Sequence, residues 1–254
     1  GGALETMKSL NSSLWQRLPL LATAFLLFMP VTTVWASAGQ FQFVSGDVRI
    51  VAPDGRERQA QKGEAINEGE SVVSAKNATA QLRMTDGGII AIRQDSQIRI
   101  DEYRFNGQED GSERGFFSLL KGGFRSITGA VGKLHKENYR IKTPAATIGI
   151  RGTDSETIHI LASGPPPSGV PAGTYNRVNI GATIVNGTAV LPNQVAYAPN
   201  LDAPGMLLPQ MPPIFEPPKA PQVSKSDTHK SENSDGTRTS PTTESASTGD
   251  TTTT

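Results

Sequence analysis

Ser118 and Lys121 are the residues whose spacing most resembles a catalytic pair. On a helix, the pattern S-x-x-K places a lysine one turn from a nucleophilic serine. Here the pattern lies in the Phe- and Leu-rich run Gly115–Arg125, which predicts a strand, and residues three apart on a strand point to opposite faces. The only Ser-Asp pair that could accompany it, Ser234-Asp235, lies in a polar C-terminal stretch, and no K-T-G follows. We therefore expect a protein that is not an enzyme, with a Ser/Lys hydrolase as a remote alternative.

Other residue types that support catalysis or metal binding are sparse. Residues 129–133 (GAVGK) resemble a phosphate-binding loop, but Ile127 occupies the position of its first glycine and Leu134 follows the lysine. The three histidines are scattered through the chain without partners at metal-ligand spacing. His159 alternates with isoleucines and is predicted to point outward from a strand. The chain has no cysteine, which excludes disulfides and thiolate chemistry. We expect no metal and no cofactor.

Basic residues cluster around one segment. Arg140, Lys142 and Arg151 lie close together in the sequence, and Arg125 and Lys133 precede them. This cluster has two interpretations: a cationic patch for an acidic partner or an anionic glycan, or the solvated face of a neutral protein. The whole chain carries 24 basic and 24 acidic residues, and aromatic residues are not interleaved with the basic ones, so no nucleic-acid partner is expected.

The segment that positions these residues is Tyr139–Ile160 (YRIKTPAATIGIRGTDSETIHI). Its apolar residues alternate with period two on both sides of the centre, which predicts strands. Pro144 cannot donate to a strand ladder and marks a strand end or an edge. Gly152 indicates a bulge or a close approach of two backbones, with Arg151 held beside it in the turn. The candidate binding or structural residues are Arg140, Lys142, Arg151, Gly152 and Thr153.

The clearest hairpin lies earlier in the chain. Ala80, Leu82 and Met84 alternate with polar residues, and Asp86, Gly87 and Gly88 then form a turn from which Ile90 and Ile92 return. With 26 glycines and 18 prolines, the sequence favours turns over long helices. We predict an all-β fold of short antiparallel strands, arranged as a sandwich, a partly open barrel or a short β-solenoid-like domain.

The two ends of the chain differ from its centre. Residues 1–6 are interpreted as an upstream or cloning remnant, and 7–38 as a signal peptide with a basic start, an apolar core and cleavage after Ala36-Ser37-Ala38. The alternative is a retained membrane anchor; after cleavage no membrane span is expected. Residues 39–199 form the predicted β domain. Residues 200–254 are Pro-rich and then Ser/Thr-rich, which predicts a disordered tail.

Several short blocks together resemble the FecR domain. In order they are Gly46-Asp47-Val48, Gly69-Glu70, Thr85–Gly88 (TDGG), Leu120–Phe124 (LKGGF) and Lys142–Asp154 (KTPAATIGIRGTD), within about 46–198. The resemblance implies an extracytoplasmic all-β module without catalytic residues. In iron-signalling members such a module relays the state of an outer-membrane transporter to a sigma factor, with an anti-sigma region and a membrane helix preceding it. Here only Met7–Arg17 precede the apolar segment, which implies a free-standing exported FecR-domain protein.

These observations predict a non-enzymatic binding or sensing module of a bacterial envelope. The expected location is the periplasm, or the cell surface or medium after secretion. The expected partner is an envelope protein; the alternative is a glycan- or cell-wall-binding surface module.

Overall fold

The computed structural model describes residues 37–133, 135–163 and 169–216. Almost all regular structure within these ranges is β-strand, and 3-10 turns lie at Lys136–Asn138 and Pro213–Phe215. Fifteen strands follow one another along the chain: β1 (Ser37–Ser45), β2 (Val48–Val51), β3 (Glu57–Gln59), β4 (Ala65–Asn67), β5 (Ser71–Ser74), β6 (Thr79–Met84), β7 (Ile89–Ile92), β8 (Ser96–Arg104), β9 (Arg114–Ile127), β10 (Tyr139–Lys142), β11 (Thr147–Ile160), β12 (Gly173–Val185), β13 (Thr188–Val190), β14 (Val195–Ala198) and β15 (Met206–Leu207).

The strands form one open sheet, and the predicted all-β class is confirmed. Its main path runs β15-β14-β12-β11-β10-β9-β7-β6-β1-β4, with β2, β3, β5, β8 and β13 paired beside it. Of the strand pairs described, β9–β10 is parallel and the others are antiparallel. Short strands were predicted throughout, but three strands are long: β9 and β11 have 14 residues each and β12 has 13. Long strands persist through bulges, which change the twist without ending the pairing.

The predicted hairpin is the pair β6–β7, in which Leu82 lies opposite Ile90 and Ala80 opposite Ile92. Because side chains alternate between the two sides of a strand, the apolar residues of both strands fall on one side and are buried. The core beneath the sheet includes an aromatic cluster in which the ring of Phe117 lies 5.4 Å from that of Tyr139 and 5.8 Å from that of Tyr103. This core fixes which side of β9 and β10 faces solvent.

Pro144 lies in the turn between β10 and β11, so its predicted role as a strand end is confirmed. The turn is held by Thr143, whose Oγ1 accepts hydrogen bonds from the backbone N–H groups of Ala145 and Ala146 at 3.1 and 2.8 Å. A threonine hydroxyl that binds nearby backbone N–H groups stabilises a turn against continuation of the strand. Strand β10 therefore folds back on β11 directly after Lys142.

The domain extends beyond both boundaries predicted for it. The predicted cleavage point after Ala38 falls inside β1, where Ala38 is fully buried and its carbonyl accepts a hydrogen bond from Thr85 N at 3.0 Å. Residues 200–216, predicted to begin the disordered tail, are packed on the domain: β15 pairs with β14, and Phe215 is buried. Beside the burial of Phe215, hydrogen bonds hold this proline-rich stretch on the sheet: Asn186 Nδ2 donates to the carbonyls of Asn200 and Ala203, and Arg93 Nη2 donates to that of Ile214. The remaining residues of the predicted signal peptide and tail, 7–36 and 217–254, lie outside the described residues.

Phe215 belongs to a second, smaller apolar cluster on the solvent side of β11 and β12. The cluster contains Ile158 and Ile160 of β11, Tyr175 of β12, Val195 of β14, Val170 and Phe215. It explains why the second half of β11 is buried on both sides. Among the described residues, no helix is long and apolar enough to span a membrane.

Candidate functional site

Strand β10 and the first half of β11 bring three predicted site residues to one surface. Arg140 lies opposite Gly149, and Lys142 lies opposite Thr147. Directly opposed residues project to the same side of a sheet, and so do residues two apart on one strand. Arg140, Lys142 and Arg151 therefore share the solvent side of the sheet, which we call the basic face.

Arg140 is the most constrained of the three. Its guanidinium carbon lies 4.5 Å from the centre of the Phe116 ring, its neighbour on β9. Stacking of this kind restricts a guanidinium to one orientation while leaving its charge unneutralised. Its Nε is buried and has no hydrogen-bond partner among the described residues. The side chain is thus held in place by Phe116 with its charge unpaired among the described residues.

A shallow pocket of about 270 Å³ lies beside Arg140, between β8, β9 and β10, and is lined by Arg99, Asp101, Phe116, Phe117, Ser118, Arg140 and Lys142. Its single carboxylate is already engaged, because Asp101 accepts hydrogen bonds from Arg99 Nε at 2.6 Å and Ser118 Oγ at 2.5 Å. Within the ranges that the structure covers, Arg140, Lys142 and Arg151 form no salt bridge. The basic face therefore carries an excess of positive charge that could attract an anionic group.

The predicted triplet Arg151, Gly152 and Thr153 does not act as one unit. The register of β11 against β12 shifts between Arg151 and Asp154, so the predicted bulge is present. Gly152 has φ +56° and faces Gly181, where a Cβ would overlap the carbonyl of Gly152. Thr153 turns inward, and its N–H donates to Thr128 Oγ1 at 2.9 Å. Arg151 is exposed on the basic face, so its predicted attachment to the turn is wrong.

The turn residues Asp86, Gly87 and Gly88 join β6 to β7, and Asp86 has a structural role. Its Oδ1 accepts hydrogen bonds from Gly88 N at 2.8 Å and from Tyr103 Oη at 2.5 Å, and its Oδ2 accepts one from Val131 N at 2.9 Å. Burial, reinforced by the nearby Asp86 carboxylate, raises the pKa of the Tyr103 hydroxyl. One carboxylate thus ties the hairpin turn to β8 and to the loop after β9.

Ser118 and Lys121 lie on the same side of β9, which contradicts the prediction of opposite faces. A bulge at Leu120 causes this, since Ser118 pairs with Arg99 and Lys121 with Gln97, two residues apart on β8. They bind different carboxylates: Ser118 donates to Asp101, and the Lys121 ammonium lies 2.7 Å from Asp95. Each side chain already has a partner other than the one that a Ser/Lys mechanism would require.

His159 is buried, although the alternation of β11 predicted an outward position. Its Nδ1 lies 3.0 Å from Thr174 Oγ1, whose hydroxyl is in turn 2.6 Å from that of Thr143. Burial lowers the pKa of the imidazole below its usual value. Within the described residues, no group of three or more His, Asp or Glu could hold a metal ion.

The sequence reasoning missed a charged row on the solvent side of the second half of β11. Arg125 binds Asp154 with both ends of its guanidinium, at 2.7 and 2.5 Å, and this pairing holds the pKa of the Asp154 carboxyl below its usual value. Arg177 binds Glu156, and Arg93 Nη1 lies 3.8 Å from the same carboxylate. Arg125, counted above with the basic cluster, is therefore neutralised. The acidic residues at 154 and 156, two apart on a predicted strand, were the sequence signal that could have indicated this row.

Comparison with known proteins identifies the class of this chain. Residues 70–163 match the family model described as FecR protein. The stretch that resembles the FecR domain runs from just before β5 to just after β11 and includes the Asp86 turn and the basic face. No curated protein matches the sequence.

Three solved structures show partial similarity. A cell surface anchoring domain is 26% identical over 24% of this chain and 82% of its own, with a TM-score of 0.24. Two crystal structures of proteins from Parabacteroides distasonis, assigned as anti-sigma factors, are 13% and 15% identical, each over 54% of this chain, with TM-scores of 0.39 and 0.37. This chain covers 57% and 56% of those two proteins, so it spans just over half of their length.

Proposed function

We propose that this protein is a non-enzymatic binding module of the bacterial envelope that docks an acidic segment of another envelope protein on its basic face. The observation that carries the proposal is that Arg140, Lys142 and Arg151 project from one side of β10–β11 without salt bridges in the described structure. Exposed charges of one sign that are not needed for internal pairing steer and orient a partner of opposite charge.

The shape of the basic face favours a polypeptide partner. Across β11, Gly149 lies between Arg140 of β10 and Ile184 of β12. A Cβ at Gly149 would contact only the Cβ of Ile184, at 4.0 Å, so the strip above it is open. The side chain of Ile184 is 46% exposed. This strip is flanked by the cationic side chain of Arg140 and the aliphatic side chain of Ile184, so it suits a peptide that carries both acidic and apolar side chains.

The proposal is tested by cross-linking the exported protein in bacterial envelopes and identifying the captured partners. The test variant replaces Arg140, Lys142 and Arg151 by Glu; the control replaces three exposed cations elsewhere, Lys62, Arg83 and Lys136, by Glu. Charge reversal on the basic face should abolish capture, whereas the control variant should retain it. Equal capture by both variants would contradict the proposal.

A glycan partner is distinguished in the same experiment. Purified wild-type protein and both variants are sedimented with peptidoglycan and with poly-L-glutamate coupled to beads. A protein partner predicts binding to poly-L-glutamate that weakens with salt and is lost in the test variant. Sedimentation with peptidoglycan that is lost in the test variant, without any captured protein, would replace the proposal by the glycan-binding alternative.

A further inference from the structure

A second cleft lies on the same side of the sheet, at the other end of β9 and β11. It has a volume of about 620 Å³ and is bounded by the β7–β8 turn, by the bulged part of β9 with Gly122 and Gly123, by the end of β11, and by Ile214. This volume lies within the range of small-ligand sites in proteins. We call it the glycine cleft.

The floor of the glycine cleft depends on the two glycines of the LKGGF block. A Cβ at Gly122 would overlap Ser96, and one at Gly123 would lie 2.8 Å from the carbonyl oxygen of Thr157 and 2.9 Å from Ile158 Cγ1. Ser96 Oγ also accepts a hydrogen bond from Gly123 N at 2.9 Å. The backbones of β8, β9 and β11 therefore approach one another closely here. Because the glycines have no side chains, the cleft lies above them and the longer side chains around it form its walls.

The polar lining of the cleft is predominantly cationic. Lys76, Arg93 and Lys121 line it together with a single carboxylate, Asp95, which is paired with Lys121 at 2.7 Å. Arg93 donates from Nη2 to the carbonyl of Ile214 at 2.8 Å, while its buried Nη1 lies 3.8 Å from Glu156 Oε2 and has no hydrogen-bond partner in the described structure. A buried donor without an acceptor is uncommon in folded proteins. An anionic oxygen that reached this guanidinium from the cleft would be a closer acceptor than Glu156.

The remaining wall is aliphatic. Ile158, Ile160, Leu161 and Ile214 line it, and Leu161 is 40% exposed. His159 lies among them with its Nδ1 directed to Thr174, and burial lowers the pKa of its imidazole. The neutral form is thereby favoured, so the imidazole adds polarity without adding to the positive charge.

From this arrangement we infer that the glycine cleft binds a carboxylate attached to a short aliphatic body, with the carboxylate near Arg93, Lys76 and Lys121 and the aliphatic part against Ile158 and Ile160. Two sources share this chemistry: the C-terminus of a peptide that ends in aliphatic residues, and a medium-chain fatty acid. The site is separate from the basic face and does not depend on the proposed function of that face.

The test measures amide chemical shifts and affinity by NMR titration of the domain. The probes are acetyl-Gly-Leu-Ile with a free C-terminal carboxylate, the same peptide with a C-terminal amide, and octanoate. The carboxylate peptide should shift the amides of Gly122, Gly123 and His159 and raise the pKa of His159 by bringing a negative charge near it. The amide should bind about tenfold more weakly or not at all, since it lacks the charge.

Three variants separate binding in the cleft from the effect of general surface charge. Lys76→Gln with Lys121→Gln should weaken the carboxylate probe about tenfold or more, whereas Lys62→Gln, an exposed lysine elsewhere, should leave its affinity unchanged. Asp95→Asn should tighten binding several-fold, because it removes the single carboxylate; Asn tolerates the positive φ of 53° at this position.

The outcomes are decisive in both directions. Tighter binding of octanoate than of the peptide assigns the cleft to fatty carboxylates, and the reverse assigns it to peptide termini. Equal affinity for acid and amide, no effect of the double lysine variant, or no shift of the cleft amides with any probe at millimolar concentration overturns the inference. Loss of partner capture through the basic face would not produce any of these results, so the two proposals fail independently.

Discussion

Replacement of Asp86 by alanine should destabilise the domain far more than a turn residue usually does. In the folded protein its carboxylate accepts three hydrogen bonds, two of them from groups that are themselves buried: the hydroxyl of Tyr103 and the N–H of Val131. Alanine leaves both donors without an acceptor. Each buried unsatisfied donor costs about 1–3 kcal/mol, so the expected loss in the free energy of unfolding is about 2–6 kcal/mol.

The matched control is Asp54→Ala, in the exposed turn between β2 and β3. Asp54 Oδ1 accepts a hydrogen bond from Arg56 N at 3.0 Å, and both side chains are largely in solvent. Water replaces such contacts, so this substitution should cost less than about 1 kcal/mol. The measurement is urea denaturation followed by far-ultraviolet circular dichroism. Equal losses for Asp86→Ala and Asp54→Ala would refute the assignment of Asp86 as a structural anchor.

A double-mutant cycle with Tyr103→Phe isolates the hydroxyl–carboxylate bond. The single Tyr103→Phe substitution removes one donor and leaves the other two bonds of Asp86 intact. For directly bonded residues a coupling energy of about 0.5–3 kcal/mol is expected. Additive losses would show that the two side chains do not interact in solution, contrary to the 2.5 Å contact.

Three further outcomes are expected. Phe215→Ala should lower the free energy of unfolding by about 3–5 kcal/mol, because it empties a buried aromatic site, and an unchanged urea midpoint would show that residues 200–216 do not pack on the sheet in solution. The pairing of Asp154 with Arg125 depresses the pKa of the Asp154 carboxyl, so the pair stabilises the folded state above the unfolded pKa of 3.8, and this stabilisation is lost as the pH falls further. Arg125→Met should therefore reduce the loss of unfolding free energy at acidic pH. An unchanged dependence of stability on pH in this range would contradict the pairing. If an N-terminal signal peptide is removed on export, cleavage should not fall after Ala38, because Ala38 is buried in β1 and its carbonyl accepts a hydrogen bond from Thr85 N. N-terminal sequencing of the mature chain would check this, and a start at Gly39 would contradict it.

Local sequence signals predicted the parts of the fold that depend on neighbouring residues. The β6–β7 hairpin and the strand end at Pro144 follow from alternation and from the missing N–H of proline. These features depend on residues a few positions apart, and the sequence displays them directly. The bulge at Gly152 belongs to the same class, because a glycine within a strand pattern indicates an irregularity of the ladder.

Features that depend on distant segments were predicted incorrectly or missed. The face on which Lys121 projects depends on a bulge at Leu120 that becomes visible only in the register against β8. His159 is buried because residues far along the chain cover both sides of β11. The alternating pattern of β11 assigns its side chains to two sides but does not show that both sides are covered. Residues 200–216 have the composition of a linker, and only the apolar site on β11–β12 orders Phe215.

The block Lys142–Asp154, from the end of β10 into β11, shows how folding and binding can be separated within one segment. Several of its residues account for the structure: Thr143 holds the turn, Ile148 and Ile150 fill the core, and Asp154 on the solvent side is bound by Arg125. The side chains of its outward cations, Lys142 and Arg151, form no hydrogen bond or ion pair among the described residues, so the fold does not account for these charges. Substitution of these two by Gln should therefore leave the urea midpoint unchanged and weaken only partner capture. A loss of stability instead would mean that the basic face serves the fold, and the argument for a docking surface would fail with it.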